Sequence, residues 1–414
     1  MLRNYLKVAW KVLLRRKFFT FISLFGISFT LLVLMVGTAV LDHIFAPHEV
    51  EPHADRTLYT TGMSMSGPNR SRGSSAGYGL LDRWVRTLPD VERVAITTLP
   101  DRIPIYHDGQ KVVSFFRYTD GEFWRIMHFD FLEGGPFTAE DDENGNHVAV
   151  INESQRRRYF DGQPALGRQL NIEGRGFRIV GVVRDVPIIR MMAFSEIWVP
   201  IGTMKGDAYK RALLGHFVGI ILARDRADFP AIKAEFQARL QRVQLPDPKE
   251  FDRITGSVDT IFESFSRALF SKDGEESSHA SWLKAIMVVA MLLFMALPTL
   301  NLVNINLSRI LERSSEIGVR KAFGASSRTL VGQFVMENVI LTLVGGALAL
   351  VLSWITLAAL GGSGFVPYAE FHLNLRIFLY GLALAIFFGV FSGVYPAWRM
   401  SRLHPAEALR GRTT

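Results

Sequence analysis

Three stretches of the sequence contain residues whose types and spacing could do chemistry. They are a histidine pair, a run rich in Gly and Ser, and a charged segment at 312–330 that lies between apolar segments. The pair, His48 and His53 in HEVEPH, superficially matches a zinc-binding helix. The two imidazoles are five residues apart and would face different sides of a helix that Pro52 interrupts, so the spacing argues against a metal site.

The Gly- and Ser-rich run at 62–79, GMSMSGPNRSRGSSAGYG, has the composition of a phosphate loop. A Walker A motif requires Lys after Gly, and nowhere in the chain does Lys follow Gly. The run therefore predicts a flexible loop. The chain has no Cys, which excludes thiol nucleophiles and Cys-based zinc sites, and it is interpreted as lacking a nucleophile-elbow serine.

The charged segment, ERSSEIGVRKAFGASSRTL, predicts a short helix with its own end. Glu316 and Arg320 are four residues apart and can pair on one helix face. Gly324 supplies a helix stop, and Ser326 or Ser327 can cap the helix that follows. A plain positively charged loop is the alternative interpretation on composition alone.

The basic charge is concentrated around the apolar segments. The chain of 414 residues carries a net charge of +8, yet residues 43–282 contain 30 Lys and Arg against 33 Asp and Glu. The remainder contains 17 against 6. This distribution is typical of orientation in a bilayer and not of a phosphate-binding face, so nucleic acid is not an expected partner.

Four apolar segments are long enough to cross a bilayer, which requires about 20 residues. The first contains 24 uncharged residues between Lys17 and Asp42, too many for a signal peptide, and no clear cleavage site follows. In the third, Gly345 and Gly346 predict close helix contact, and Pro298 in the second predicts a kink. The predicted transmembrane helices are 18–45, 282–308, 330–360 and 376–398.

Lys and Arg in the short flanks predict the orientation of the spans. Basic residues crowd an amphipathic helix at 1–17, the loop at 309–329 and the tail at 399–414, whereas Arg376 alone marks the loop at 361–375. Both termini are therefore expected in the cytoplasm, with residues 46–281 outside as one insert.

Alternating polar and apolar residues predict a mixed α/β fold for this insert. Outer lobes at about 50–100 and 216–265 are expected to form paired βαβ-like units, with an inserted lobe at about 101–215. Strands are predicted at 56–62 and for KVVSFFRYTD and HVAVINES, and 168–186 predicts a hairpin. Residues 271–281 read as a polar linker.

Three passages resemble ABC transporter permeases of the MacB/FtsX/lipoprotein-releasing class. SSEIGVRKAFGASSRTLVGQFVMENVILTLVGGALAL resembles the signature of that class, and GVYPAWRMSRLHPAEALR its closing motif. VAVINESQRRRYFDGQPALGRQLNIEGRGFRIVGVVRDV resembles its MacB-like periplasmic core domain. The resemblance implies an α-helical membrane protein with four transmembrane helices and a large α/β extracytoplasmic domain between the first and second spans, as the flanks predict independently.

The resemblance further implies that the charged segment contains a coupling helix that docks on a cytoplasmic ATPase. The implied ATPase-coupling residues are Glu316, Gly318, Arg320, Lys321, Gly324 and Ala325. The chain is then no enzyme: it holds no cofactor or metal, and a partner binds ATP and Mg. MacB carries a fused N-terminal ATPase, so the motor here is expected to be a separate polypeptide.

The resemblance implies mechanotransmission, in which ATP-driven motion reaches the outer domain, with efflux of a peptide, antibiotic or toxin as the leading function. Alternatives are extraction of lipoproteins or lipids from the inner membrane, and a scaffold that moves an outside enzyme such as a cell-wall hydrolase. Expected partners are the ATPase, a second copy or a related permease, membrane lipid, and a periplasmic adaptor with an outer-membrane channel. The expected location is the bacterial inner membrane.

Overall fold

The computed structural model describes residues 17–107, 110–270, 277–312, 319, 323, 326–363, 368, 371 and 373–401. The chain divides into two compact units. We call Met1–Leu41, Lys284–Ser363 and Phe371–Thr414 the helical unit, and Asp42–Leu283 with Gly364–Glu370 the sheet unit.

The helices, in chain order, are α1 (Lys17–Phe45), α2 (Tyr78–Leu80, continued by a π turn at Leu81–Val85), α3 (Phe123–Ile126), α4 (Ala139–Glu143), α5 (Glu153–Phe160), α6 (Phe229–Leu240), α7 (Ile261–Phe270), α8 (Ala280–Glu312), α9 (Ser327–Gly362) and α10 (Leu375–Ser401). The strands are β1 (Thr57–Ser66), β2 (Ser71–Ala76), β3 (Val91–Thr98), β4 (Asp101–His107), β5 (Gln110–Thr119), β6 (Phe131–Gly134), β7 (Val148–Asn152), β8 (Gln169–Ile172), β9 (Arg175–Val183), β10 (Ile197–Pro200), β11 (Leu214–Gly215), β12 (Phe217–Ala223) and β13 (Arg253–Asp259).

The long helices coincide with the apolar segments. Within the described residues, α1 and the part of α9 at Val331–Gly362 are long and apolar enough to cross a membrane. Shorter apolar helices lie at Ala280–Ala296 and Leu375–Phe391. Pro298 lies inside α8, which is assigned as one helix from Ala280 to Glu312.

The strands form one mixed sheet in the order β11-β2-β1-β12-β3-β5-β10-β7-β9-β6, with β13 beside β1, β4 beside β5 and β8 beside β9. Parallel pairs join β5 to β10 and β7 to β9. The predicted mixed α/β fold is therefore confirmed. The hairpin predicted at 168–186 is also confirmed, because β8 and β9 pair with Ile172 opposite Arg175.

The prediction of a flexible loop at 62–79 is wrong for most of its length. β1 and β2 form a hairpin there, with Met63 opposite Ser74 and Ser66 opposite Ser71. Met63 and Met65 are buried and alternate with less buried residues. Pairing with β13 on the other side of β1 overrides the turn-like composition, and the turn itself is confined to 67–70.

Both faces of the sheet are covered, and β12 shows how. Phe217, Ile221 and Ala223 enter one hydrophobic core, while Val218, Ile220 and Leu222 enter another. Successive side chains of a strand point to opposite faces, so β12 lies between two cores. A third core surrounds the strands of the inserted region and includes Ile151, Phe177 and Ile197.

Candidate functional site

The charged segment is described at Glu312, Val319 and Phe323, and from Ser326 onward. The Phe323 amide donates to the Val319 carbonyl at 3.1 Å, the hydrogen bond of an α-helical turn. The residues predicted to couple to an ATPase lie outside the described residues: Glu316, Gly318, Arg320, Lys321, Gly324 and Ala325. Their role therefore stays a prediction.

Phe323 is the more exposed of the two large apolar side chains whose exposure is described in this segment. Its relative exposure is 89%, against 45% for Val319. Aromatic side chains supply much of the binding energy at protein interfaces. Sequence reasoning missed Phe323, although a single aromatic residue inside a charged segment is a readable signal for a contact surface.

The helix that follows the segment begins where the sequence predicts. The Ser326 side-chain oxygen accepts from the Thr329 amide at 3.2 Å, so Ser326 is the N-cap of α9. A capped start fixes the direction in which α9 leaves the segment. The cap thus joins the segment to the first turn of α9.

Two neighbouring glycines let α9 pack closely against two other helices of the helical unit. A Cβ atom on Gly345 would lie 2.8 Å from Ile27 of α1, and one on Gly346 would lie 2.6 Å from Leu382 of α10. Both distances are shorter than side-chain contacts allow, which confirms the predicted close approach. The side-chain amide of Asn338 also donates to the Gly389 carbonyl at 3.3 Å, a second link from α9 to α10.

In the sheet unit, the two halves of the sheet meet at β3 and β5. In the described residues, the register between these strands consists of Thr97 opposite Thr119. Asp120, which follows β5, reinforces this junction: one carboxylate oxygen accepts from the Ile96 amide at 2.9 Å and from Arg86 at 3.0 Å. The other oxygen accepts from the Phe123 amide at 3.1 Å. A single carboxylate thus holds together three parts of the fold.

Burial raises the pKa of Asp120 to about 6, although the Arg86 guanidinium and the Ile96 amide oppose the shift. Asp142 lies close enough to raise the pKa of Asp120 further, and burial raises the pKa of Asp142 itself. The junction between the two halves of the sheet is therefore sensitive to proton uptake near neutral pH.

A second buried polar group lies where the chain leaves α1. Arg190 donates to the Ala46 carbonyl at 2.8 Å and to Glu51 at 3.2 Å, and the side chains of Arg190 and Glu51 are each 2% exposed. Arg117 of β5 is fully buried and donates to the carbonyls of Met191 and Met192.

Burial sets the protonation behaviour of this group. It raises the pKa of Glu51, which Arg190 partly offsets, and it lowers the pKa of Arg117 to about 9. Sequence reasoning missed all three residues. A lone Arg inside an apolar run, as Arg190 is in PIIRMMAF, is the signal that could have identified a buried charge.

The two histidines that the sequence offered as a candidate metal pair, His48 and His53, have separate partners in the structure. The His48 ring accepts from the Val50 amide at 3.3 Å, and the His53 ring lies edge-on to His128 at 5.5 Å. Burial, followed by Arg56, lowers the pKa of His53. Across the described ranges, no group of three or more His, Asp or Glu side chains could hold a metal ion.

A Gly-x-Ser-x-Gly pattern is present at 73–77, so the interpretation that passed over it was incomplete. Ser75 lies within β2 and pairs with Gly215, and it is absent from the residues with positive φ. A nucleophile elbow places its serine on a sharp turn between strand and helix. The geometry at Ser75 is that of an ordinary strand residue.

Comparison with known proteins places both parts of the chain in one family. Residues 20–239 match the MacB-like periplasmic core domain, and residues 288–405 match the FtsX-like permease C-terminal part.

Two relatives illustrate the extent of the similarity. An uncharacterized ABC transporter permease of Bacillus subtilis, YknZ, is 24% identical over 79% of this chain and 77% of its own length. A macrolide export ATP-binding/permease protein of Escherichia coli, MacB, is 27% identical over 73% of this chain. The chain spans 44% of the length of that MacB protein.

Solved structures of relatives show lower similarity. The periplasmic region of MacB from Actinobacillus actinomycetemcomitans has a TM-score of 0.35 and 15% identity, over 44% of this chain and 83% of that structure. The extracellular domain of YknZ from Gram-positive bacteria also has a TM-score of 0.35, with 12% identity, over 48% of this chain and 98% of that structure. These scores support no conclusion, whereas the matched domains cover more than half of the sequence. The chain therefore belongs to the MacB/FtsX family of ABC transporter permeases, with a MacB-like periplasmic core domain followed by an FtsX-like C-terminal part.

Proposed function

We propose that this chain is the membrane-spanning subunit of an ABC transporter that works by mechanotransmission. The observation that carries the proposal is the order of its parts: an apolar helix, a MacB-like domain at 20–239, and an FtsX-like part at 288–405 that contains the charged segment. Four helices, α1, α8, α9 and α10, cross the inner membrane, both termini lie in the cytoplasm, and the sheet unit lies outside.

ATP is bound and hydrolysed, with Mg, by a partner subunit. The absence of a Gly-Lys dipeptide from the printed sequence supports this assignment, because a Walker A lysine follows glycine. Segment 312–330 docks on the ATPase, with Arg320 and Phe323 among the contacts. Motion then passes through the capped start of α9 to α1 and α10, which pack against it at Gly345 and Gly346.

The transporter is a homodimer with two ATPase subunits, and its leading function is efflux of a peptide, antibiotic or toxin. The MacB relatives are named as macrolide export proteins, which supports this cargo class. Handover of the cargo to a periplasmic adaptor and an outer-membrane channel is part of this proposal. Extraction of lipoproteins, or control of a cell-wall hydrolase, would appear as a different outer partner in the experiment below.

Affinity purification from membranes tests the proposal most directly. We expect a cytoplasmic ATPase to co-purify with the chain, and ATPase activity to disappear when that partner is removed. ATP hydrolysis by the isolated chain would contradict the assignment. The identity of outer partners distinguishes export, in which an adaptor is captured, from regulation of a hydrolase.

Single cysteines test the orientation without background, because the natural chain has no Cys. Cysteines at Ser74, Gly145 and Ser277 should react with a membrane-impermeant thiol reagent in sealed cells, and cysteines at Ser315 and Thr413 should not. Labelling of Ser315→Cys would reverse the proposed topology.

A further inference from the structure

The segment at 184–196, between β9 and β10, contains little regular secondary structure and contacts two separate parts of the chain that border apolar helices. The first is the chain that leaves α1. Arg190 donates to the carbonyl of Ala46, the residue after the end of α1, at 2.8 Å, and to Glu51 at 3.2 Å. The guanidinium thus fixes the direction in which the chain enters the sheet unit.

The second is the connection between α9 and α10. The Tyr368 hydroxyl donates to one carboxylate oxygen of Glu196 at 3.2 Å. The other oxygen of Glu196 accepts from the Phe115 amide at 2.7 Å. The Phe194 ring lies 6.4 Å from the Tyr368 ring and 5.1 Å from the Phe115 ring, so polar and aromatic contacts follow the same route.

The segment that makes both contacts is itself bound to one strand, β5. Glu196 reaches the backbone of β5 through Phe115, and Arg117, two residues further along β5, holds the segment through the Met191 and Met192 carbonyls. Since β5 also forms the junction with β3 and carries Asp120 at its end, a displacement of the segment is delivered to the centre of the sheet.

The chemistry of these contacts suits the transfer of movement. Well-packed apolar residues could supply similar stability, because burying charges is costly. Apolar contacts can slide, however, whereas charge-assisted hydrogen bonds fix both distance and direction. Buried charges that join backbone groups from three places, at Ala46, at Met191 and Met192, and at Phe115, therefore act as a stiff connection.

From this arrangement we propose that Glu51, Arg117, Arg190, Glu196 and Tyr368, the root cluster, form the joint that delivers movement of α1 and of the α9–α10 connection to the sheet. The inference rests on the proposed function and names the residues at which motion enters the sheet unit. The residues are positioning residues that bind neither ATP nor cargo.

The test compares buried and exposed variants in the full chain, reconstituted with its ATPase in lipid vesicles. A spin label on Arg72→Cys, an exposed position of β2, reports the distance between the sheet units of two copies. Arg190→Met removes the buried contacts. Arg184→Met is its matched control, since Arg184 pairs with Asp130 at 2.9 Å while both side chains are at least 60% exposed.

Tyr368→Ala provides a second, milder variant in case Arg190→Met fails to fold. Its matched control is Tyr209→Ala, another partly buried Tyr whose hydroxyl donates to a carbonyl and whose ring contacts Tyr78 and Phe217. Arg190→Lys keeps the charge beside Glu51 and should partly rescue the defect of Arg190→Met.

We expect wild type and both controls to show a nucleotide-dependent change in the label distance. In Arg190→Met and Tyr368→Ala, the fraction of labels that responds to nucleotide should fall by about tenfold, while ATPase activity is retained. If folded Tyr368→Ala and Arg190→Met show the same label response as wild type, the proposal that the root cluster delivers movement to the sheet is wrong. If Arg190→Met does not fold, Tyr368→Ala alone decides. No response in wild type would instead refute the proposed function, and the joint with it.

Discussion

The charged segment at 312–330 and the root cluster both border apolar helices, and they differ in which side chains they bury. In the segment, the described apolar side chains are turned outward, and Phe323 is 89% exposed. In the root cluster, Glu51, Arg117 and Arg190 are at most 3% exposed and bind other parts of the same chain. Apolar groups are exposed at one place and charged groups are buried at the other, the reverse of the usual distribution.

In the proposed function, this difference separates a surface that binds and releases a partner from a connection that stays closed. An exposed aromatic ring costs the folded chain little and gains its contacts on association. A buried charge pair is costly to open, because each partner would be left without its counter-charge. The comparison therefore predicts that changes in the root cluster alter the stability of the fold, and that changes in the segment alter association.

The largest effect should come from Glu51→Ala. This change removes the carboxylate that faces the buried Arg190 and Arg117. It should lower the free energy of unfolding by about 3–5 kcal/mol, because buried charges are left without that counter-charge. The control is Glu92→Ala, which removes a 2.6 Å ion pair with Arg56 whose side chains are 23% and 43% exposed. That loss should remain below about 1 kcal/mol. Thermal unfolding of the purified chain measures both, and equal losses would contradict the comparison.

The pH dependence of stability should next distinguish the β3–β5 junction, to which the root cluster connects through β5, from the charged segment. The pKa of Asp120 is raised by burial from 3.8 to about 6, so the folded chain holds this proton more tightly than the unfolded chain. The contribution of Asp120 to stability is therefore greatest below pH 4, falls as pH rises to about 6, and is constant above that. The fall amounts to about 3 kcal/mol.

Asp120→Asn should abolish this fall, so that the variant gains relative to wild type between pH 4 and pH 7. Melting temperatures measured across that range provide the test. Asp130→Asn, at an exposed ion pair, is the control and should follow the wild-type curve. If the melting temperature of Asp120→Asn changed with pH in parallel with that of wild type, Asp120 would not be the titrating group. Association with the ATPase should not follow this profile.

A smaller effect is expected from charge reversal in the segment. Arg320→Glu removes the pairing with Glu316 that the sequence predicts and would present the wrong sign of charge to the proposed partner, which should weaken ATPase association by about 2 kcal/mol. Its own folding stability should change by no more than about 0.5 kcal/mol. Arg376→Glu, at the start of α10, is the matched control and should leave association unchanged. The amount of ATPase that co-purifies measures the outcome. If Arg320→Glu retained as much ATPase as wild type, the segment would be interpreted as a plain charged loop.

The smallest effect should come from Phe323→Ser. Removal of an exposed ring should leave the melting temperature unchanged and weaken association by about 1 kcal/mol, because the ring is buried only in the complex. Titration of the ATPase against wild type and variant in the same lipid measures the change. A lowered melting temperature would mean that Phe323 packs within the permease itself.

Features encoded by neighbouring residues could be predicted from the sequence. The Ser326 cap, the β8–β9 hairpin and the close contacts at Gly345 and Gly346 each depend on a local pattern, and all are confirmed. The resemblance to one permease family also came from continuous motifs. The same kind of signal misled at 62–79, where Gly and Ser suggested a loop.

Features made by distant residues could not be predicted. The hairpin at 62–79 is stabilised by β13, and Glu51 meets a partner 139 residues away. Glu196 and Tyr368 are separated by 172 residues. The lone Arg190 in an apolar run can indicate that a charge is buried, but a single sequence does not show which distant residue the fold places beside it. The ATPase-coupling residues remain predictions of the sequence alone.

The close packing of α1 against α9 at Gly345 also bears on the order in which the contacts of the protein form during synthesis. Synthesis proceeds at about 5–20 residues per second, so α1 emerges well before α9, the helix against which Ile27 packs. During that interval all strands of the sheet unit are completed, including the pairing of β1 with β12. Tyr368 is then made after α9, so its bond to Glu196 forms among the last. A chain truncated before Tyr368 carries a complete sheet without this part of its joint, so the finished connection marks synthesis beyond Tyr368.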